Sequence, residues 1–294
     1  MFSKHNIAKL VIYLAYPILR IVFRPTISKH LTVFLFHEVT DNPSSFQLGC
    51  MNYTTLANFD RCMKWIAKNY EVIDIKNISE LSRFSSKPLA VITFDDAWRG
   101  QTAALVKVSQ EFDLPVTFFT NFGTVESRVD NAAYEAYKRD SDAKTSLPHK
   151  ELIGDSEFES WQGGIISKDE FNQLSSFTNI TISNHGYMHY CSSELDDEDF
   201  LENVSRNECA LADVSPSNKY FAFPFGRPEK DFTHSQVELL IGLNYEYVFA
   251  ADSSLNSIPL NGAKLLSRVH FSPSDSKSSD FWWAANKKLI FKFD

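Results

Sequence analysis

The chain has 294 residues and a formal net charge of −8, with 29 Lys and Arg against 37 Asp and Glu. Because 44% of the residues are hydrophobic, 25 Phe among them, the chain can bury a large core, which argues against a disordered protein. The acidic balance argues against a nucleic-acid-binding protein, which needs a basic surface to displace counterions from phosphate. The four cysteines form no CxxC pair, so no zinc-knuckle or thioredoxin-like motif is present, and we expect reduced thiols.

The first 30 residues combine an apolar stretch with positive charge. Residues 7–23 read IAKLVIYLAYPILRIVF, and the helical spacing of their apolar side chains predicts an amphipathic helix kinked at Pro17. The uncharged run Leu10–Leu19 is shorter than the roughly 20 residues that span a bilayer, and no signal-peptide cleavage site follows it. Two hypotheses fit equally well: residues 4–29 contact an anionic membrane surface, or the helix packs on the protein's own body. We expect a cytoplasmic protein, or one bound to the cytoplasmic face of the inner membrane.

Short apolar segments alternate with helical patterns along the rest of the chain. The predicted strands are 31–36, 71–75, 89–94, 116–119, 180–183, 220–223, 247–250 and 265–269. The predicted helices between them are 56–68, 101–112, 168–177, 197–212 and 235–243. Such alternation is typical of parallel β/α units. We therefore predict an α/β fold, a distorted (β/α) barrel of seven to eight strands similar to a TIM barrel, over residues 31–270.

Two segments interrupt or follow this alternation. Residues 124–164 carry mixed charge without a strong period, and we predict an insertion near the barrel rim, a lid with one short helix at about 132–137. After residue 270, a turn-rich connection leads into FWWAANKKLIFKF. We expect residues 271–294 to form a C-terminal extension whose helix covers the core.

Polar side chains follow two of the predicted strands. HGYMH at 185–189 places two imidazoles at i and i+4, and TFDD at 93–96 places two adjacent carboxylates at a strand end. The carboxylates could instead cap the next helix. Because the carboxyl ends of barrel strands meet at one rim, one carboxylate and two imidazoles could form a three-ligand site with an open position for water, as in hydrolytic zinc centres. The second carboxylate would then be free to take a proton from that water.

Three motifs resemble those of the polysaccharide deacetylases with a NodB homology domain. They are VITFDDA (91–97), NHGYMH (184–189) and FAFPFG (221–226), in the family's order; LFHEV (35–39) and LLSRV (265–269) resemble flanking strand motifs. The resemblance covers about residues 31–270. It implies a metal-dependent hydrolase that removes an N-acetyl group from an amino sugar of a glycan or glycan precursor in surface-polysaccharide biosynthesis. The metal would be Zn²⁺, or otherwise Co²⁺ or Ni²⁺.

The resemblance also implies roles for individual residues. Asp95 matches the catalytic base, and Pro224 and Phe225 match the segment whose backbone N–H holds the oxyanion. The implied metal ligands are Asp96, His185 and His189. The carbohydrate itself would be the partner molecule.

Some family features have no clear counterpart in the sequence. The arginine that often precedes the Pro-aromatic pair and positions the base is missing, and no motif marks the histidine acid. His270, after the last strand, and His37, after the first, could each serve as the acid; we expect His270 to act as the acid and His37 to lie in the substrate site. The aromatic side chains that could stack on a sugar face are Trp98, Trp161 and Tyr187.

Three alternatives remain open at this point. A deformylase acting on a lipid-linked sugar would use the same residues. A catalytically inactive carbohydrate-binding barrel would not need both Asp95 and Asp96. Two His and one Asp also describe non-haem iron oxygenases, but those carry H-x-D with a distant His on a β-sandwich.

Overall fold

A computed structural model describes residues 4–43, 47–48, 51–81, 87–127, 164–214 and 219–290. The helices are α1 (Lys4–Val22), α2 (Arg24–Ile27), α3 (Leu56–Asn69), α4 (Arg99–Gln110), α5 (Phe122–Ser127), α6 (Lys168–Ser175), α7 (Asp197–Leu211), α8 (His234–Gly242) and α9 (Ser278–Ile290). The strands are β1 (His30–Phe36), β2 (Glu38–Val39), β3 (Tyr53–Thr54), β4 (Glu71–Val72), β5 (Leu89–Asp95), β6 (Val116–Thr120), β7 (Ile180–Asn184), β8 (Tyr220–Ala222), β9 (Tyr247–Phe249), β10 (Asn256–Ser257), β11 (Leu265–Leu266) and β12 (Arg268–His270).

The main sheet curls into a nearly closed barrel. Its parallel strands follow the order β1-β5-β6-β7-β8-β9-β11, while β10 pairs antiparallel with β1 and the short strand β4 pairs with β5. The predicted strand 265–269 is broken at Ser267: β11 pairs with β9, and β12 pairs with β1 through Val33 opposite Arg268. One interrupted strand therefore joins the two ends of the sheet, and the expected (β/α) barrel is confirmed. The predicted strand 71–75 is shorter, because only Glu71–Val72 pairs with β5.

Alternation along β5 decides which side chains face the barrel interior. Leu89 and Val91 belong to the inner cluster of buried side chains, whereas Ile92 and Phe94 belong to the outer cluster beneath the helices. Because successive side chains of a strand point to opposite faces, the inner row continues through Thr93 to Asp95. The strand thus delivers a carboxylate to the carboxyl end of the barrel interior.

The outer cluster uses many of the chain's phenylalanines. Phe36 packs edge-on against Phe59 of α3 and stacks with Phe94, with ring centroids 5.3 Å apart in both pairs. The terminal helix α9 closes this layer, since Phe281 and Trp282 are buried within it. Aromatic packing between strands and helices therefore holds the wall that surrounds the site.

Helix α1 lies against the outside of this wall. Tyr16, Leu19 and Phe23 pack on the outer cluster, and the Tyr16 and Phe23 rings lie 6.2 and 6.3 Å from the Trp282 ring. One face of α1 is thus packed on the protein's own body. Within the described part of the chain, no helix has the length and apolar character needed to cross a membrane.

The predicted insertion falls largely outside the described residues. Helix α5 covers its first residues, up to Ser127, and the description resumes at Gly164. The predicted lid helix and Trp161 lie in the part that is not described.

Candidate functional site

The two carboxylates at the end of β5 leave the strand in different directions. Asp96 has a φ of +74°, in the left-handed region that non-glycine residues seldom occupy. Gln101 ties the turn together, because its side chain accepts a hydrogen bond from the Trp98 N–H (3.0 Å) and donates one to the Asp95 carbonyl. Helix α4 begins only at Arg99, so neither aspartate serves as its N-cap. Both carboxylates are therefore available for other contacts.

His185 and His189 bring their imidazoles to Asp96. The His185 Nδ1–H donates to the Ala222 carbonyl at 2.7 Å, so the other ring nitrogen, Nε2, carries the lone pair in the neutral ring. Nε2 lies 3.4 Å from the Asp96 Oδ1, and the His189 Nε2 lies 3.1 Å from the same oxygen. All three side chains are buried.

The three groups fit a metal ion. One ligand atom from each of Asp96, His185 and His189 lies within 4.8 Å of the other two. Ligands placed tetrahedrally around Zn²⁺ at about 2.0–2.1 Å are about 3.3 Å apart, close to the two measured separations. Burial on its own would raise the pKa of Asp96, but His189, His185 and His37 together hold that pKa well below its usual range. The carboxylate is thus ready to act as a ligand.

Trp98 holds the second oxygen of the Asp96 carboxylate. Its indole Nε1–H donates to Oδ2 at 2.9 Å, and only 2% of the residue is exposed. The oxygen facing the two histidines is therefore fixed in place. The structure puts Trp98 behind a candidate ligand, whereas its predicted role was to stack on a sugar.

Asp95 is paired with an arginine that the sequence motifs did not indicate. Arg268 of β12 donates from both terminal nitrogens to the two oxygens of Asp95, at 2.5 and 2.6 Å. Arg268 is fully buried, and its Nε–H donates to the Ala250 carbonyl at 3.1 Å. Arg268 thus contacts Asp95 in a chain that has no arginine immediately before Pro224. The signal was present in LLSRV, since Leu266 belongs to the inner cluster and Arg268 follows it by two residues.

His37 follows β1, and His270 is the last residue of the neighbouring strand β12. Leu35 of β1 is opposite His270 of β12, and both imidazoles line one small cavity. Burial lowers the pKa of His37, while the charges of Asp96 and Asp95 act in the opposite direction. Desolvation by the surrounding protein atoms lowers the pKa of His270 to about 4, and the charges of His37 and Lys287 act in the same direction. Part of the His270 side chain nevertheless reaches solvent. The charges of both carboxylates thus act on the pKa of His37.

The Pro224–Phe225 segment borders the metal-ligand side. Phe225 has a φ of +62°, and its ring stacks on His189 with centroids 5.0 Å apart. The turn is closed by the Gly226 N–H, which donates to the Pro224 carbonyl at 2.7 Å. Among the residues that the structure describes, none accepts a hydrogen bond from the Phe225 N–H. Its role in holding an oxyanion, which the resemblance implies, stays a prediction.

Helix α7 shapes the loop that carries the histidines. Asn203 accepts hydrogen bonds from the backbone N–H groups of Tyr187 and Met188, at 3.0 and 3.1 Å. One turn later, Asn207 donates to the side chain of Asn184 at 2.7 Å. These asparagines were not predicted as site residues, although their i, i+4 spacing on one helix was visible.

Tyr187 points into a different network from the one predicted for it. Its hydroxyl donates to Glu126 at 2.5 Å, and Arg206 lies 4.1 Å from its ring centroid. The side chain is buried, with 7% of the residue exposed. Tyr187 therefore braces the histidine loop against α5 and α7.

Glu38 is a further buried acid beside the site. The Gly100 and Val39 N–H groups hydrogen-bond to it, and a Cβ on Gly100 would lie 1.7 Å from its Oε1. Burial raises the pKa of Glu38 to about 7, against the effect of these hydrogen bonds and with a further contribution from Asp96. Glu38 was not predicted as a site residue.

Comparisons with known proteins agree with the geometry. A family model described as polysaccharide deacetylase matches residues 83–246, more than half of the chain. No curated protein matches. The fold is similar to that of the deacetylase PplD of Streptococcus pyogenes in complex with acetate, with a TM-score of 0.63 and 12% identity over 87% of this chain and 98% of that one.

Two further solved structures share the fold. IcaB from Ammonifex degensii has a TM-score of 0.56 and 16% identity, with 87% of this chain and 97% of that chain covered. The BpsB deacetylase domain from Bordetella bronchiseptica has a TM-score of 0.53 and 11% identity, with 83% and 96% covered. At these identities the likeness shows a common fold.

Proposed function

The chain belongs to the polysaccharide deacetylase family, a family of hydrolases that act on amide C–N bonds, and from this premise we propose a metal-dependent de-N-acetylase. Its substrate would be an N-acetylated amino sugar of a glycan or glycan precursor made for a cell surface. The observation that carries the proposal is the cluster of Asp96, His185 and His189, with the arginine-held Asp95 beside it. The cytoplasmic location and the biosynthetic role are parts of the same proposal.

Asp96, His185 and His189 would hold the metal. A set of two imidazoles and one carboxylate suits Zn²⁺, and it also accepts Co²⁺ or Ni²⁺. A divalent ion bound there supplies the Lewis acidity that polarises the acyl carbonyl and acidifies a water molecule. Trp98 and the Ala222 carbonyl keep Asp96 and His185 in their ligating orientations.

Asp95 would accept the proton of the attacking water. Arg268 occupies one side of both its oxygens, which fixes the plane of the carboxylate and leaves the remaining lone pairs for the proton. The Oδ2 of Asp95 lies 3.8 Å from the His185 Nε2, so the base adjoins the candidate ligands. As the water oxygen bonds to the acyl carbon, the proton passes to Asp95.

The Phe225 N–H would stabilise the tetrahedral intermediate, since the Phe225 ring stacks on His189 and no described residue accepts a hydrogen bond from this N–H. Breakdown of this intermediate cleaves the C–N bond, and the departing nitrogen needs a proton. We assign this proton to His37, because Phe36 pairs with Phe94, so that His37 and Asp95 lie next to each other at the ends of β1 and β5. His270, the acid expected from the sequence, lines the same small cavity as His37. The products are acetate and a free amino sugar.

The decisive experiment measures acetate release and bound metal together. The purified full chain is stripped with a chelator and assayed on N-acetylated glucosamine oligomers, with and without added Zn²⁺ or Co²⁺. We expect release only with metal, at one ion per chain. If no acetate is released and no metal is bound, the proposal is overturned. Release of formate from N-formylated sugars, with acetylated ones untouched, would support the deformylase alternative instead.

A further inference from the structure

Helix α1 presents a second apolar face to solvent. Leu14, Ile18, Ile21 and Val22 are each between 62% and 69% exposed, and their spacing places them on one stripe. The opposite face is the one packed on α3 and α9, where the Trp65 Nε1–H donates to the Tyr16 hydroxyl at 3.4 Å. Single exposed apolar side chains are ordinary, but a continuous stripe on one element marks a contact surface. We call these four side chains the apolar stripe.

Two grooves rich in cationic side chains adjoin the stripe. One has a volume of about 230 Å³ and the other about 330 Å³, and both include Arg20 and Lys68. The full cationic set lining them is Arg20, Arg24, Arg61, Lys64, Lys68 and Lys87. Lys64 forms an ion pair with Asp60 at 2.6 Å, but among the described residues no carboxylate lines either groove. We call these six side chains the cationic rim.

The charge of the remaining chain makes this surface distinctive. Residues 1–30 carry a net charge of +5, whereas the other 264 residues carry −13. An anionic bilayer therefore repels most of the protein and attracts the region around α1, which selects one orientation. A second copy of the chain is a poor occupant, because a symmetric contact would bring the two cationic rims together.

We propose that the apolar stripe and the cationic rim form a docking surface for an anionic phospholipid bilayer. The stripe enters the boundary between headgroups and acyl chains, and the cationic rim binds lipid phosphates beside it. This is the arrangement of a helix that lies in a membrane surface.

Docking in this way would leave the candidate active site accessible. Near its middle, α1 contacts the start of α9, where the Lys277 Nζ lies 4.7 Å from the Tyr13 ring centroid. At the C-terminal end of α1, the smaller groove also includes Lys87 and Pro88, which precede β5. Asp95 lies at the opposite end of that strand. The bilayer would contact the wall of the barrel, so the end of the barrel that carries the two carboxylates stays open to a glycan.

The test is flotation of the full chain with vesicles of phosphatidylcholine alone or with 30 mol% (about a third) phosphatidylglycerol, at low and high salt. We expect binding to the anionic vesicles only, weakened by salt. Ile18→Gln/Ile21→Gln and Arg20→Glu/Lys68→Glu should each reduce the partition coefficient roughly tenfold or more. Matched controls on other surfaces, Leu243→Gln and Lys264→Glu, should stay within about twofold of wild type, with circular dichroism showing that every variant is folded.

Three results would overturn the proposal. They are equal binding to neutral and anionic vesicles, no binding to either, and controls as damaging as the surface variants. Light scattering after size exclusion separates the competing occupant. A wild-type dimer that Ile18→Gln/Ile21→Gln converts to a monomer, with no vesicle binding by either, would assign the stripe to self-association. If inorganic phosphate binds to the cationic rim but vesicles do not, the proposal is also overturned, and the rim is a site for free anions.

Discussion

Two regions of the site meet at the end of β5, and they place the chemically identical side chains of Asp95 and Asp96 in different surroundings. On the interior side, Asp95 continues the inward row of the strand and pairs with Arg268. On the loop side, Asp96 turns away at a φ of +74° and lies between two imidazoles and an indole. One backbone reversal thus separates a carboxylate held by a cation, suited to accept a proton, from a carboxylate suited to bind a metal. Chemical identity alone does not set the role; the surroundings do.

Exchanging the two carboxylates for amides should give the largest effect. Asp95→Asn removes the base, so we expect kcat to fall about 10²–10⁴-fold while one metal ion per chain is retained. Asp96→Asn removes a ligand, so metal and activity should be lost together. Metal content measured beside acetate release checks both variants. Loss of metal from Asp95→Asn, with retention in Asp96→Asn, would reverse the two assignments.

Removing the guanidinium tests the interior side next. Arg268→Met leaves the buried Asp95 without its partner, and we expect the free energy of unfolding to fall by about 3–5 kcal/mol. Urea denaturation checks this. Arg268→Lys keeps the charge but loses the two-point contact, so it should recover part of the stability with a lower kcat than wild type. If Arg268→Met is as stable and as active as wild type, the pair does not position the base.

The pH dependence of stability tests the loop side through Glu38. Its pKa is raised to about 7 in the folded protein, so its contribution to stability is present at pH below 4.5 and is lost as the pH rises toward 7. In metal-free protein, Glu38→Gln should remove this loss, about 3 kcal/mol between pH 4.5 and pH 8. Denaturation across that range, compared with the exposed control Glu238→Gln, checks it. Parallel wild-type and Glu38→Gln curves would contradict it.

The smallest effect is expected from the indole behind Asp96. Trp98→Phe keeps an aromatic ring but deletes the Nε1–H that binds Oδ2, and metal affinity should fall about 10–100-fold. Competition titration with a chelating dye measures this, and the exposed Tyr190→Phe serves as the control. An unchanged affinity would show that the two imidazoles alone orient the carboxylate.

The fold and the cluster of Asp96, His185 and His189 could be predicted because their signals are local. Apolar runs alternating with helical patterns indicate β/α units, and residues that follow parallel strands meet at one end of a barrel. The pairing of Asp95 with Arg268 could not be predicted in the same way. The two residues are 173 positions apart, and only closure of the sheet brings them together.

The direction in which the aromatic side chains point could not be predicted from the sequence either. Trp98 and Tyr187 were predicted as sugar-stacking residues, yet they are buried and hydrogen-bond to Asp96 and Glu126. Their aromatic character was plain in the sequence, but their orientation depends on a left-handed turn at Asp96 and on asparagines of α7. Neither the turn nor the contact with α7 follows from local composition.

The break at Ser267 also has a consequence for the order of assembly during synthesis. Residues up to 264 include all three candidate metal ligands and the carboxylate of Asp95, but not the strand that joins β9 to β1 or the guanidinium that it carries. Sheet closure and charge neutralisation of the base are therefore one late event. A nascent chain from which residues 265–270 have not yet emerged would hold an unfinished barrel, with the Asp95 carboxylate lacking its guanidinium partner.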